Sequence, residues 1–137
     1  MSNKGEQAKE LFCKGHNCCQ ATFCVFCDEL GLDKETALKI ASSFGGGIGG
    51  MGEVCGAVSG AFMAAGLKCG YILPKDMSEK KRHNDLIQKI SNEFKEKHGS
   101  IICRELKSKM NPECIRNGCA ELVKDAAEIV EKVINEK

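Results

Sequence analysis

Residues 43–61 read SFGGGIGGMGEVCGAVSGA, with eight glycines around a single cysteine, Cys55. Gly47, Gly49 and Gly52 fit the G-x-G-x-x-G pattern of a dinucleotide site, but such a site needs a buried strand immediately before the glycines. The preceding stretch, ETALKIASSF, has helical periodicity, and no Gly-Lys-Ser/Thr follows the glycines. We therefore expect the segment to be a loop that positions Cys55 rather than one that binds a phosphate.

Helical periodicity continues along almost the whole chain, and no stretch shows the alternation of a half-buried strand. The sequence predicts an all-α fold in which residues 1–137 form a single bundle-like domain of about five to seven helices. The predicted helices cover residues 4–14, 18–30, 34–44, 54–67, 79–97, 101–106 and 119–135. Asn17, Asp33 and Ser78 are expected to cap three of them.

The helix predicted after the glycine loop carries no charged residue from 54 to 67, which indicates a central position in the bundle. Gly56, Gly60 and Ala64 recur every four residues and so share one side of this helix. We expect a neighbouring helix to approach the backbone closely there.

Charge and hydropathy exclude several classes of partner. Twenty basic and nineteen acidic residues are scattered along the chain, so no basic face is available for nucleic acid or for an anionic membrane. The uncharged runs 40–52 and 54–67 are shorter than the roughly 20 apolar residues of a membrane span. The first ten residues, MSNKGEQAKE, lack an apolar signal region, and a cytoplasmic location is therefore expected.

Ten cysteines are present in a chain without tryptophan. In a reducing compartment, such a number is typical of metal binding or redox chemistry more than of a disulfide framework. Cys55 is predicted in the first turn of its helix, where free N-H groups and the helix dipole stabilise an anion. We expect it to be a thiolate near neutral pH.

Four cysteine-containing segments occur in a recognisable order. They are Asn17-Cys18-Cys19-Gln20-Ala21, the stretch FGGGIGGMGEVCGAVSGA, Cys103 followed by Arg-Glu-Leu, and Cys119 upstream of LVKDAAEIVE. In this order and in the CGAxxG core at 55–60, nearly the whole chain resembles the C_GCAxxG_C_C family of redox-active proteins. The resemblance places the characteristic cysteines, hereafter the four family cysteines, at Cys18, Cys55, Cys103 and Cys119. Cys19 and Cys114 are alternatives for the first and last positions.

The resemblance implies redox activity, and a similar cysteine-bearing segment in split-Soret cytochromes favours an iron-sulfur centre. Four thiolates from separate segments suit zinc, iron or an iron-sulfur cluster. The helix starts predicted at Cys18, Cys55 and Cys119 would favour a centre with negative charge. Covalent haem is not predicted, because the chain has no Cys-x-x-Cys-His motif.

These observations lead to one principal reading and two alternatives. The principal reading is a redox protein whose four family cysteines bind an iron-sulfur cluster, or another metal, for electron transfer or redox sensing with a partner protein. One alternative is a metal-free thiol-disulfide oxidoreductase in which Cys55 is the attacking thiolate. The other is a structural zinc domain. The wide apolar faces of the helices are also compatible with a homodimer.

The remaining candidate residues receive structural interpretations. Cys24 and Cys27 form the single Cys-x-x-Cys of the chain, but apolar neighbours place them in the core of a helix, and Cys13 and Cys69 are interpreted as core residues too. His16 is expected to be solvated in a loop, and His83 and His98 to lie on the surface. Glu53 is expected to act as a carboxylate at a helix start.

Overall fold

A computed structural model describes residues 3–136 of the chain. The described part contains seven α-helices and no strand. The helices are α1 (Lys4–Cys13), α2 (Cys18–Cys27), α3 (Lys34–Ala41), α4 (Gly56–Cys69), α5 (Met77–His98), α6 (Cys103–Ser108) and α7 (Ile115–Asn135). Short 3-10 helices occur at Ser42–Phe44 and Pro112–Cys114. The helices pack into one compact domain, which confirms the all-α prediction.

Side-chain caps determine where α2 and α3 begin, and both helices begin at the residue predicted from the sequence. The Asn17 side chain accepts a hydrogen bond from the Gln20 N-H, and the Gln20 side chain accepts one from the Asn17 N-H, so that the two form a capping box. Asp33 caps α3 through the Thr36 N-H. The cap predicted at Ser78 is wrong, because Asp76 accepts the hydrogen bond from the Glu79 N-H and α5 begins at Met77.

The centre of the domain is α4, which packs against α2, α5 and α7. A Cβ atom at Gly60 would lie 2.9 Å from the Cys19 carbonyl oxygen and 2.9 Å from the Thr22 Cβ of α2. The expected close approach of a neighbouring helix at this side of α4 is therefore confirmed. The other large apolar surface belongs to α7, whose buried residues include Val123, Val130 and Val133 and which packs along α1 and α4.

Two helices begin later than predicted because of one long-range backbone contact. Val54 and Ile102 form an isolated antiparallel bridge, and the Cys55 N-H donates to the Ile101 carbonyl at 2.7 Å. These residues are therefore extended, so that α4 begins at Gly56 instead of residue 54 and α6 at Cys103 instead of residue 101.

The last helix begins four residues earlier than predicted. The Asn111 side chain accepts a hydrogen bond from the Glu113 N-H and caps the turn Pro112–Cys114, which continues directly into α7 at Ile115. Cys119 therefore lies inside α7, and the prediction that it begins the last helix is wrong.

No helix in the described part of the chain is long and apolar enough to cross a membrane.

Candidate cysteine centre

The four family cysteines line one small cavity of about 20 Å³ between α2, α4, α6 and α7. Cys18 is partly buried, and the other three are buried, with 4–6% of their surface exposed. Gly46 and Gly47 of the glycine loop complete one part of the wall, and Leu106, Lys107 and Leu122 another. Residues separated by as many as 101 positions therefore meet at one point, whereas their service as ligands remains a prediction.

Local structure brings each of these cysteines to the cavity in a different way. Cys18 is the first residue of α2, directly after the Asn17 cap, and Cys103 is the first residue of α6. Cys55 is the N-cap residue of α4 rather than a member of its first turn. Cys119 lies in the second turn of α7. The starts of α2 and α4 thus bring a cysteine to the cavity, as the sequence predicts, whereas the start of α7 does not. The start of α6 also brings one, which was not expected.

The glycine loop and the bridge hold Cys55 beside Cys103. The Cys103 N-H donates to the Glu53 carbonyl at 2.6 Å, and the Arg104 N-H donates to the Gly52 carbonyl at 3.1 Å. The Arg104 guanidinium also donates to the Gly52 carbonyl and to the Glu53 carboxylate. These contacts fasten the end of the loop to the start of α6, so that two cysteines 48 positions apart occupy neighbouring places.

Gly47 shows why the loop needs glycine at the cavity. Its φ of +77° is strained for a residue with a side chain, and a Cβ atom there would lie 2.7 Å from the Cys103 Cβ and 2.6 Å from the Glu53 N. The loop can therefore pass directly over Cys103 only without a side chain at position 47. Ile48, which follows, is the single non-glycine residue with positive φ in the described chain.

Burial dominates the ionisation of Cys55. Burial raises the pKa of Cys55 to about 11, although hydrogen bonds from the Val58 and Ala57 N-H groups act in the opposite direction. The helix start therefore has the expected effect, but its magnitude is smaller than the cost of removing a thiolate from water. The expectation of a Cys55 thiolate near neutral pH is wrong for the metal-free protein.

Cys18 and Cys119 influence each other's ionisation. The hydrogen bond from Cys18 lowers the pKa of Cys119 to about 7, with a further contribution from the positive charges of Lys107 and Arg116. The same contact and burial raise the pKa of Cys18. The pair therefore favours one proton on Cys18 and negative charge on Cys119.

The two alternative cysteines lie away from the cavity. Cys19 is fully buried and does not line the cavity, and its Sγ lies 3.4 Å from the Met63 Sδ. Cys114 is exposed at the N-cap of α7. The structure therefore places Cys18 and Cys119, rather than these neighbours, at the cavity wall.

The remaining cysteines and Glu53 agree only in part with their predicted positions. Cys27 is buried as expected and Cys24 is partly buried, but Cys13 is exposed, so its core assignment is wrong because α1 ends there on the surface. Cys69 is partly buried at the end of α4. Glu53 precedes the N-cap and pairs with Arg104 instead of serving a helix start.

The histidines lie outside the cavity wall. His16 is partly buried in the loop between α1 and α2. The surface assignment of His98 is wrong, because its Nε2 lies 2.9 Å from the Asp125 carboxylate and its ring packs on Phe94. His83 is also partly buried, and its ring meets Tyr71 edge to face.

The donor set fits a thiophilic metal centre in its chemistry. Four cysteine sulfurs are the ligands of iron-sulfur clusters and of tetrahedral zinc or iron. As the side chains stand, no group of three His, Cys, Asp or Glu residues within 3–136 is arranged to hold a metal ion. Ligation would therefore require the thiols to lose their protons and turn towards the middle of the cavity they share.

Two cationic residues near the cysteines were missed from the sequence. Lys107 lines the cavity, and its charge favours the thiolates of Cys18 and Cys119, while Arg116 acts on Cys119. Lys107 lies four positions after Cys103, and Arg116 three positions before Cys119, which puts each on the cysteine's side of its helix. Neither spacing could be used at the level of sequence, because the predicted helix 101–106 ended before Lys107 and the last helix was predicted to begin only at residue 119.

Comparisons with known proteins identify the family of this chain. Residues 16–133 match the model of a family described as "Putative redox-active protein (C_GCAxxG_C_C)". An uncharacterised protein of Archaeoglobus fulgidus is 29% identical over 143 aligned positions, which cover 92% of each chain. No solved structure matches this chain. The family match includes all of the cysteines around the cavity, and the chain therefore belongs to the C_GCAxxG_C_C family.

Proposed function

We propose that this chain is a cytoplasmic redox protein whose four family cysteines ligate an iron-sulfur cluster used in electron transfer or redox sensing. The observation that carries the proposal is their meeting at one cavity, although they come from four helices distributed over most of the chain. Other cysteines of the chain, including Cys13, Cys24 and Cys114, do not line it. A separate partner protein would exchange electrons with the centre.

The family description favours iron over zinc. Zinc has no redox chemistry of its own, whereas an iron-sulfur cluster gains and loses electrons at a potential set by charge, hydrogen bonds and solvent exposure. The description of the family is "Putative redox-active protein". A cysteine-ligated iron centre accounts for that description without any further cofactor.

Residues around the cavity would stabilise the negative charge of four thiolates. The Ala57 and Val58 N-H groups act on Cys55, and Lys107 acts on Cys18 and Cys119. Hydrogen bonds and positive charge around the sulfurs are among the features that tune such centres. The leucines of the wall, Leu106 and Leu122, would limit access of water.

The size of the cavity favours a mononuclear zinc site as a second candidate. About 20 Å³ is room for roughly one water molecule, so a single ion would need little more than rotation of the thiols. A cluster would need an additional outward shift of the glycine loop. Metal analysis distinguishes the two candidates.

The mutual effect of the Cys18 and Cys119 thiols on each other's pKa favours a metal-free third candidate. Both residues line the same cavity of about 20 Å³, and disulfide formation would require their side chains to turn towards each other. In this candidate the exchanging thiols are Cys18 and Cys119. Cys55 is not the attacking thiol, because burial raises its pKa and keeps it protonated.

The proposal is tested by anaerobic purification followed by iron, sulfide and zinc analysis and a visible absorption spectrum. The expected result is a coloured protein with iron and sulfide in matching amounts, both lost in Cys55→Ser and in Cys103→Ser. Cys13→Ser and Cys114→Ser are matched controls, because both residues are exposed away from the cavity, and these variants should keep the iron.

Three results would contradict the iron-sulfur proposal. One zinc per chain, lost in the same two variants, would establish the structural zinc reading. A colourless protein without metal that forms a reversible disulfide between Cys18 and Cys119 would establish thiol exchange. Iron retained in both cavity variants would exclude these cysteines as ligands.

A further inference from the structure

A second pair of cysteines lies at a separate pocket. This pocket has a volume of about 460 Å³ and is formed by α1, the end of α2 and the beginning of α3. Cys24 and Cys27 both line it, and none of the four family cysteines does. Its volume is within the range of roughly 300–1,000 Å³ found for small-molecule sites.

The two thiols differ in exposure in a way that suits two successive roles. Cys24 is partly exposed, whereas Cys27 is only 1% exposed and its Sγ lies 3.3 Å from the Phe23 carbonyl oxygen. The two side chains are three positions apart in α2 and therefore share one side of the helix. A molecule in the pocket can thus reach the partly exposed Cys24. The buried Cys27 lies on the same side of the helix, one turn further along α2.

Interactions within the pair and with α3 support this division. Burial raises the pKa of both thiols, to about 12 for Cys27. The positive charge of Lys34 favours the thiolate of Cys24, whereas the neighbouring Cys24 disfavours the thiolate of Cys27. Cys24 is therefore the member of the pair that ionises first.

The end of α2 can accommodate a bond between these sulfurs. Helical neighbours three apart have Cβ atoms about 5–6 Å apart, and a disulfide needs about 3.5–4.5 Å. Cys27 is the last residue of α2 and is followed by a turn that closes with the Leu32 N-H donating to the Cys27 carbonyl at 2.9 Å. A shift of the final turn can therefore close the gap without breaking the middle of a helix.

The charge of the pocket selects among ligands. Lys4, Lys14 and Lys34 line it together with two acidic residues, Glu10 and Asp28. Lys4 also donates to the Val25 carbonyl at 2.9 Å, which holds its charge beside the end of α2. Because Lys4 also pairs with Glu29 at 3.6 Å, Lys34 is the cation whose charge acts on Cys24, and it favours a bound molecule that carries carboxylates.

We propose that Cys24 and Cys27 form a second redox site, a dithiol that reduces low-molecular-weight disulfides carrying negative charge. This site is independent of the metal centre, and either proposal can fail without the other.

The reaction transfers two electrons from the pair to the bound disulfide. The Cys24 thiolate attacks one sulfur of the disulfide, forms a mixed disulfide and releases the first thiolate of the ligand. Cys27 then loses its proton and attacks the Cys24 sulfur, which releases the second ligand thiolate. The products are a Cys24-Cys27 disulfide and two thiols of the ligand, which take up the two protons that the cysteines lose.

The test uses the full, reduced chain and the anionic aromatic disulfide dithiobis(nitrobenzoate), followed by peptide mass mapping. We expect a bond between Cys24 and Cys27, two released nitrothiobenzoates for this pair and no adduct retained on either residue. Cys27→Ala should retain one adduct on Cys24, and Cys24→Ala should leave Cys27 unmodified because it is buried. The exposed Cys13 should retain an adduct in every variant and serves as an internal control.

A charge variant tests the ligand class. Lys34→Gln should slow the reaction of this pair with the anionic probe about threefold more than that with neutral dithiodipyridine, the size expected for one surface charge. Lys39→Gln is the matched control on the same helix, outside the pocket, and should change neither rate.

Several results would overturn the inference. They are an adduct retained on Cys24 in the unaltered chain, the absence of reaction at both residues, or a bond from either residue to a different cysteine. Equal slowing of both probes by Lys34→Gln would overturn the assignment of an anionic ligand. The substitutions Cys55→Ser and Cys103→Ser concern only the metal centre. They should leave the reaction of Cys24 and Cys27 with the probe unchanged.

Discussion

At the scale of single residues, the ionisation of the cysteines depends on the balance between burial and local charge. A helix start alone predicts a reactive Cys55, but burial outweighs the N-H groups that meet its sulfur. Cys119 has the opposite balance, because a thiol partner and two cationic side chains stabilise its thiolate in spite of burial. The most acidic of the perturbed thiols therefore lies in the second turn of α7, a position that no sequence signal marked as favourable for a thiolate.

The first prediction concerns this thiolate in the metal-free protein. Because the pKa of Cys119 is lowered to about 7, the thiolate form should be lost as the pH falls through 7 and should be complete above about pH 8. Ultraviolet thiolate absorbance followed against pH should show one component with a midpoint near 7. Cys119→Ser and Cys18→Ser should both remove it from this range.

The matched variant for this titration is Cys55→Ser. Since the pKa of Cys55 is raised to about 11, its replacement should leave the component near pH 7 in place. Loss of that component in Cys55→Ser, or its survival in Cys119→Ser, would refute the assignment of the charge to Cys119.

At the scale of elements, the domain depends on the close packing of α2 on α4. Gly60→Ala would place a methyl group 2.9 Å from the Cys19 carbonyl oxygen, so the helices would have to separate. We expect a loss of about 1–3 kcal/mol in the free energy of unfolding, the usual cost of overpacking. Denaturant titration followed by circular dichroism measures it.

Gly66→Ala is the matched control for this packing prediction. Gly66 lies in the same helix, and nothing lies within 4 Å of a Cβ atom placed there. The higher helix propensity of alanine should stabilise the protein by up to about 1 kcal/mol. Equal effects of the two substitutions would show that propensity, and not contact with α2, determines the result.

The glycine loop provides a prediction about the cavity itself. Gly47→Ala combines strain at positive φ with overlap on the Cys103 Cβ, and should lower the metal content together with the stability. Gly49→Ala has a similar positive φ but nothing within 4 Å of its Cβ, so it should cost only about 1 kcal/mol and keep the metal. Metal analysis of both purified variants checks this, and equal metal loss would contradict the role given to Gly47.

Local signals predicted these elements well, and long-range contacts explain the errors. Asn17 and Asp33 cap helices through residues three positions away, so the relevant partners were visible in the sequence. The bridge between Val54 and Ile102 joins residues 48 positions apart and was invisible to periodicity, which is why the starts of α4 and α6 were placed too early. The cysteine set came from the resemblance, and its position at one cavity could come only from the packing.

At the scale of the whole molecule, the proposed centre would connect four helices that otherwise meet through side-chain packing. The cavity lies where α2, α4, α6 and α7 converge, and α6 has only six residues. A bound centre would therefore hold this short helix and the glycine loop to the rest of the bundle. Folding and metal binding should be coupled as in other metalloproteins.

This coupling predicts a stability change on metal removal. At a metal concentration 100 times the dissociation constant, binding stabilises the folded state by about 2.7 kcal/mol, so chelation should lower the melting temperature by roughly 10 °C. Calorimetry of the protein before and after chelation measures the shift. In Cys103→Ser the two melting temperatures should coincide, and a full shift in that variant would place the metal elsewhere.

The most direct test of the central claim is a metal-edge X-ray absorption spectrum of the anaerobically purified protein. The account predicts a shell that consists of sulfur alone, with four cysteine ligands per centre and one fewer in Cys119→Ser. A shell that contains nitrogen or oxygen in the unaltered protein, or a protein that carries no bound metal, would contradict the assignment of the four family cysteines to one metal centre.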